Sequence, residues 1–355
     1  MNEVLSFLSS AVEKNASDIL LGVGRPLHFK INSDILPQEG PRLSAEDVED
    51  ILVALYEIPH RSMDKLYENE DDDFAVSVQG LAHFRINAYR QRGTMAAVIR
   101  VVKASLPNYK ELHIPDEVVN VATKNNGLVL VTGKAGSGKS TTLACIVEAI
   151  NKSRNCHIVT LEDPIEYLHR DNKSYISQRE INVDVQSYYM ALRSCLRQAP
   201  DIILLGEMRD RETIQMALTA ADTGQLVIST MHTTGAAHSV NRIVDVFPQE
   251  QHQQIRAELS LTLQSVVSQQ LLPSLNGGLI PAFEIMHVNE AIRHLIRGGN
   301  IYQIDQVIQT SSKEGMVGMD SYLEQLVKDG EIAVDTAVEN ANDLMQMVRR
   351  LEKFK

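Results

Sequence analysis

Apolar residues at helical spacing open the chain: Val4, Leu5, Leu8, Ala11 and Val12 predict a first helix. Residues 19–21 and 27–31 then read as short strands, split by a turn containing Gly22, Gly24 and Pro26. A second helix is expected from the cap Ser44. Asp47, three residues on, completes a near capping box, and Val48, Ile51, Leu52 and Leu55 form the apolar face. The acidic run 68–73 reads as a solvated turn. Alternation over 81–89 places Ala82, Phe84, Ile86 and Ala88 on one side and His83, Arg85, Asn87 and Tyr89 on the other. Arg92-Gly93 then turns the chain back along 94–102, which carries Arg100, and a β-hairpin is predicted.

From Gly127 the pattern changes. Strand-like apolar runs at 128–132, 157–161, 202–205 and 226–230 alternate with helix-like segments at 140–152, 187–198 and 211–221. That order predicts βαβ units and a mainly parallel sheet, hence an α/β fold. After Pro248 the pattern reads as mainly helical to the end. The segment between the two regions carries Pro107 and Pro115 with little periodicity, which is linker composition. The expected organisation is an α+β domain over 1–103, a linker over 104–116, an α/β core over 117–275 and a helical region over 276–355.

Composition narrows the classes. Lys and Arg number 34 against 46 Asp and Glu, a net charge of −12, which disfavours a chain whose main task is gripping nucleic acid. Cys145, Cys156 and Cys195 are odd in number and lack metal or redox spacing, so reduced core thiols are expected. Glu3 stands where a secretion signal carries basic residues, and no apolar run approaches the ~20 residues of a membrane helix. Membrane association is therefore expected only through partners.

The most specific chemistry lies at Gly133-Lys134-Ala135-Gly136-Ser137-Gly138-Lys139-Ser140, which matches G-x-x-x-x-G-K-[ST] between an apolar strand and a helix opening at Thr141. Glycines let successive backbone N–H groups converge on phosphate oxygens, and the helix N-terminus adds partial positive charge. Lys139 would contact the β- and γ-phosphates of ATP, and the Ser140 hydroxyl would ligate Mg²⁺. The run 201–207 is a buried-strand pattern ending in Glu207, with Gly206 between the apolar run and the acid. Such a carboxylate fits a second nucleotide motif or a cap for the next helix. Glu162-Asp163-Pro164-Ile165-Glu166 follows another strand and reads as an acidic box or an Asp-Pro turn. His232 sits just past the strand 226–230 as a structural group or a polar sensor, and His238 is a second candidate.

Together these motifs resemble the secretion-ATPase superfamily in order and spacing: the phosphate loop, the acidic box 160–167, the segment Leu205-Gly206-Glu207-Met208-Arg209-Asp210 and the histidine box Ser229-Thr230-Met231-His232-Thr233. Ala291-Ile292-Arg293-His294-Leu295-Ile296-Arg297 further resembles the AIRNLIRE signature of the PilT family, the type IV pilus retraction (twitching motility) ATPases. Residues 15–21 are similar to that family's opening G-A-S-D-L-H-L. The chain departs from the family at Lys134-Ala135, where Pro-Thr is usual, and at His294 and Gly298, where Asn and Glu stand. Periodicity alone makes the AIRNLIRE-like segment an amphipathic helix, with Ile292, Leu295 and Ile296 buried and Arg293 and Arg297 solvated.

The resemblance implies a RecA-like P-loop ATPase core with a PAS-like N-terminal domain, working as a cytoplasmic homo-hexamer. It implies Mg²⁺ and ATP as ligands, with Glu166 the general base and Glu207, together with Ser140 and Glu166, organising metal and water. Two arginines of a neighbouring subunit, at the positions of Arg85 and Arg100, would steady the phosphoryl charge. An inner-membrane pilus platform protein is the implied partner. The extension and secretion ATPases of the superfamily carry a longer N-terminal region and a four-cysteine element for which this chain has no room. An accessory (PilU-like) retraction ATPase, a nucleic-acid motor and a nucleotide-binding ring component without turnover are the competing readings.

Overall fold

The computed structural model describes residues 2–32, 34–78, 80–102 and 108–352. The chain forms two compact units, one of Met1–Ser105 with Ile165–Leu168 and one of Leu106–Pro164 with His169–Lys355.

In the first unit the element order is α1 (Asn2–Glu13), β1 (Asp18–Gly22), β2 (His28–Ile31), β3 (Asp34–Pro37), α2 (Ala45–Glu57), α3 (Asp64–Asn69), β4 (Asp71–Val78), β5 (Ala82–Gln91) and β6 (Thr94–Val102). The strands make one antiparallel sheet in the order β3-β2-β1-β6-β5-β4. One face, with Ile19, Phe29, Phe74, Phe84, Ile86 and Ile99, is buried with Leu8 of α1 and Leu52 and Leu55 of α2. The capping box of α2 forms as expected: Ser44 Oγ accepts from the Asp47 N–H, and the Asp47 carboxylate accepts from the Ser44 N–H. The β5–β6 hairpin closes on Arg92 (φ 51°) and Gly93 (φ 79°), the two positive φ values that suit the right-handed twist of paired strands.

The acidic run is not a solvated turn. It ends α3 and starts β4, and Asp72, 1% exposed, points inward between exposed Asp71 and Asp73. Arg61 Nη2 and Lys65 Nζ lie 2.9 and 3.0 Å from its carboxylate, and the Tyr56 hydroxyl donates to it at 3.1 Å. Burial alone would raise the Asp72 pKa, but these cations and the hydroxyl outweigh it and hold the carboxyl below its ordinary value.

The second unit runs α4 (Asp116–Val119), β7 (Gly127–Thr132), α5 (Lys139–Ser153), β8 (His157–Glu162), β9 (Tyr175–Glu180), α6 (Tyr188–Cys195), β10 (Ile202–Leu205), α7 (Arg211–Asp222), β11 (Leu226–Met231), α8 (Ala236–Asp245), α9 (His252–Thr262), β12 (Leu263–Pro273), β13 (Leu279–His287), α10 (Glu290–Gly298), α11 (Ile304–Thr310), α12 (Met319–Lys328), α13 (Val334–Asn340) and α14 (Leu344–Leu351). Its seven-stranded sheet has the order β13-β12-β7-β11-β10-β8-β9, parallel except for the β12–β13 pair. Side chains are buried on both faces, Leu128 and Leu130 with α7 and α9 residues, Val129 and Val131 with α5 residues, so β7, β10 and β11 are mainly apolar and buried along their whole length. Cys145 and Cys195 are buried free thiols and Cys156 is a partly buried one.

Two expectations about organisation change. Residues 104–107 of the expected linker lie outside the described residues. From Asn108 the segment is no spacer, because Tyr109, Leu112 and Ile114 pack into the core of the second unit. The region after Pro248 is not mainly helical throughout: β12 and β13 complete the sheet, and their hairpin runs across the expected 275/276 boundary. Ser265, Ser268 and Gln269 of β12 are buried polar residues that break any strand alternation. Among the described residues no helix is long and apolar enough to cross a membrane.

Candidate active site

The phosphate loop leaves β7 at Thr132 and enters α5 at Lys139. Gly133, Gly136 and Gly138 have φ of 144°, 77° and 85°, a path closed to most side chains. A Cβ on Gly133 would stand 2.3 Å from the Gln269 carbonyl and 2.7 Å from Ser137 Oγ, and one on Gly138 would stand 2.9 Å from Gln269 Nε2. Lys139 Nζ donates to the carbonyls of Gly133 (2.8 Å) and Lys134 (2.9 Å), so its ammonium lies within the curve of the loop. Thr142, one turn into α5, donates to Gln269 Oε1 at 2.7 Å. Gln269 therefore braces the loop through its backbone and its amide. Sequence reading missed it, because a glutamine in an apolar stretch carries no motif.

Two strands away, β10 delivers Glu207. The hydroxyl of Tyr188 from α6 would sit 2.7 Å from a Cβ on Gly206, with the Leu161 carbonyl at 3.2 Å. This explains the glycine between the apolar run and the acid: the turn to Glu207 passes under a tyrosine. Burial raises the Tyr188 pKa, and the carboxylates of Glu207, Asp163 and Glu162 add to the rise. Glu207 Oε2 lies 2.7 Å from Arg209 Nε and 3.4 Å from His232 Nε2. The Met208 N–H donates to the Thr230 carbonyl at 3.1 Å and the Thr230 hydroxyl to the Gly206 carbonyl at 2.6 Å, which ties the two strand ends together. The acid and the histidine read separately from sequence thus form one cluster, and Arg209 joins them.

The acidic box divides. Glu162 ends β8 and accepts from Thr160 Oγ1 at 2.6 Å and Gln178 Nε2 at 3.2 Å. Glu166 is exposed and lies in the segment Ile165–Leu168 that groups with the first unit. Arg85 and Arg100 stand directly opposite each other on β5 and β6. Arg100 Nε pairs with Asp18 at 3.0 Å, in register across β1. Both arginines lie on the sheet face opposite the buried Ile86 and Ile99, with Arg100 exposed and Arg85 partly so.

Residues 2–278 match the family described as type II/IV secretion system protein. The chain is 41% identical over 340 residues to the type IV pilus retraction ATPase PilT of Pseudomonas aeruginosa, covering 96% of this chain and 98% of that one. The chain belongs to this family. It is also 35% identical to the type IV pilus ATPase PilU of the same organism, over 98% of this chain and 91% of that one. A crystal structure of the pilus retraction motor PilT with bound ADP superposes with a TM-score of 0.88 at 41% identity, over 97% of this chain and 98% of that chain.

As a member of the secretion-ATPase family, the chain is a P-loop ATPase with the α/β fold expected from its sequence. The departure Lys134-Ala135 falls on two exposed positions of the loop, away from the Gly133 and Gly138 contacts with Gln269. The family's AIRNLIRE-like segment is α10, capped by Asn289 and ended by Gly299 in the left-handed region, with Ile292 and Ile296 buried and Leu295 partly so. Its arginines are not simply solvated. Arg293 Nη1 donates to the carbonyls of Ser260 (2.7 Å) and Leu261 (3.1 Å), and Arg297 Nε to Ser260 Oγ at 3.4 Å, where the carbonyls at the C-terminus of α9 attract cations. His294 is exposed.

Proposed function

We propose that this chain is a Mg²⁺-dependent ATP-hydrolysing motor that powers type IV pilus retraction as a homo-hexamer. The observation that carries the reading is a glycine-shaped phosphate loop, braced by Gln269 and flanked by Glu207 and His232, in a chain matching a retraction ATPase over nearly the full length of both. The residues fit a nucleotide: Gly133, Gly136 and Gly138 give the loop a path of positive φ, and Ser137 Oγ is buried there without a hydrogen-bond partner among the described residues. Gly133–Ser140 and Thr141 would hold the phosphates of ATP, and Ser140, Glu207 and Glu166 would hold Mg²⁺, which neutralises charge on the β- and γ-oxygens when bound.

Lys139 brings its ammonium to the phosphate side of the loop. Glu166 takes a proton from water as general base. Glu207, oriented by Arg209 and His232, organises that water. Arg85 and Arg100, side by side on one hairpin, steady the phosphoryl charge from a neighbouring subunit. The motor works in the cytoplasm, held at the inner face of the membrane by a pilus platform protein, and nucleic acid is not a partner. The higher identity to PilT than to PilU favours the main retraction role over the accessory one.

Phosphate release is the first test: Lys139→Ala is expected to abolish it, and near-normal turnover in that variant overturns the site. The second is restoration of twitching in a strain lacking its retraction ATPase, which wild type but not Lys139→Ala should give. Mixing an Arg85→Ala/Arg100→Ala chain with a Lys139→Ala chain, each inactive, should return partial activity. No recovery in verified mixed rings refutes catalysis across subunits.

A further inference from the structure

Three described helices of the second unit begin on glycine and so have no side-chain cap of their own: α5 after Gly138 in the phosphate loop, α8 after Gly235 and α12 after Gly318. The N-termini of α8 and α12 turn toward one buried residue. Glu284 of β13 is 4% exposed; its Oε1 accepts from the Ala236 N–H at 2.6 Å and its Oε2 from the Met319 N–H at 3.5 Å. A carboxylate that meets two helix N-termini satisfies their orphan donors and the positive ends of both dipoles at once.

The segment before α8 is the histidine box. His232, whose Nε2 lies 3.4 Å from Glu207, is separated from the Ala236 N–H by only three residues. That short link is fastened at further points: the Gly235 N–H donates to Ser268 Oγ at 2.9 Å, Ser239 Oγ donates to the Gly235 carbonyl at 2.7 Å, and the hydroxyls of Thr233 and Ser239 are 2.6 Å apart. The phosphate loop is braced separately, by Gln269.

We infer that Glu284 is a positioning residue for ATP hydrolysis: it anchors the histidine box through the N-terminus of α8 and joins it to the C-terminal helices through α12. The inference rests on the assignment of hydrolysis to this site. Removing the carboxylate frees the Ala236 N–H and lets the 232–236 segment move, so His232 no longer holds Glu207 in place. Nucleotide binding is left alone, because among the described residues Glu284 bonds to Ala236 and Met319 and not to the phosphate loop.

The structure also supplies a way to separate this role from plain stability. Gly318 has φ −82° and ψ 151°, the backbone of an N-cap, and a Cβ there meets nothing within 4 Å. Gly318→Ser would give α12 its own cap while doing nothing for α8. Glu284→Ala is expected to lower kcat roughly 10- to 100-fold with unchanged affinity for a fluorescent ATP analogue, and to lower Tm. Hydrogen exchange should quicken at residues 233–239. Adding Gly318→Ser should recover part of the Tm but not kcat or the exchange protection, and Gly318→Ser alone should hydrolyse ATP normally. If Glu284→Ala does not fold, Glu284→Gln replaces it: the amide keeps the volume and one acceptor, and the same split between kcat and affinity is expected. Full turnover in the Glu284 variants, or recovery of kcat by Gly318→Ser, overturns the proposal. Absence of hydrolysis by the wild-type chain would instead overturn the assignment of the site.

Discussion

Gly206→Ala tests why the acid of the second nucleotide motif follows a glycine. The added Cβ would lie 2.7 Å from the Tyr188 hydroxyl, 3.2 Å from the Leu161 carbonyl and 3.4 Å from Glu162 Cα. The Leu161 carbonyl cannot retreat, because it accepts the Gly206 N–H at 2.8 Å within the sheet. Tyr188 must move, and overpacking of this kind costs about 2 kcal/mol. For a unit of this size that is a fall in Tm of ~4–8 °C. Glu207, the next residue, is displaced with it, so phosphate release should slow as well. Tyr188→Phe removes the one atom at 2.7 Å, and the double variant should regain ~1 kcal/mol or more relative to the sum of the singles. The assay is a double-mutant cycle read by thermal unfolding and ATP turnover. A Gly206→Ala chain that melts like wild type, or additive effects of the two substitutions, would refute the steric account.

Asp72→Asn should cost ~1–3 kcal/mol by chemical denaturation, because the Tyr56 hydroxyl and two cations lose a buried carboxylate while Arg61 and Lys65 still reach water; a neutral effect would show the cluster to be decorative. Burial holds His169 at about 4, well below its ordinary 6.5, with Glu148 opposing. The neutral ring therefore contributes stability in full above pH 6.5, and ~3 kcal/mol is lost progressively as pH falls from 6.5 to 4. His169→Gln should flatten that part of the stability-against-pH curve, and an unchanged slope would contradict it. Arg297→Ala, which gives up a single 3.4 Å contact to Ser260, should spare hydrolysis while impairing retraction; equal losses of both would remove the separation of coupling from chemistry.

Where the physics was local, it could be read from sequence. Ser44 and Asp47 cap α2, Arg92-Gly93 turns the β5–β6 hairpin, and the apolar runs of β7, β10 and β11 are buried on both faces, which alternation with helices already implied. The phosphate loop was legible for the same reason, since its glycines are demanded by backbone path. What escaped was set by distant partners. Asp72 is indistinguishable from Asp71 and Asp73 until β4 lies against β5 and one of the three turns inward. Ser268 and Gln269 look like surface positions until the segments they serve, Gly235 and Thr142, are brought beside them. Arg209 was legible only as part of the segment 205–210, and its pairing with Glu207 at 2.7 Å comes from the fold.

The brace on the phosphate loop also has a meaning in time. Thr142 and Gln269 are 127 residues apart in the chain. At ~5–20 residues per second a ribosome needs about 6–25 s to pass from one to the other. During that interval the Gly133–Ser140 loop exists without the strand that shapes it, and β7 lacks its β12 neighbour. A chain truncated before β12 is therefore expected to bind ATP weakly, because its loop lacks the Gln269 contacts.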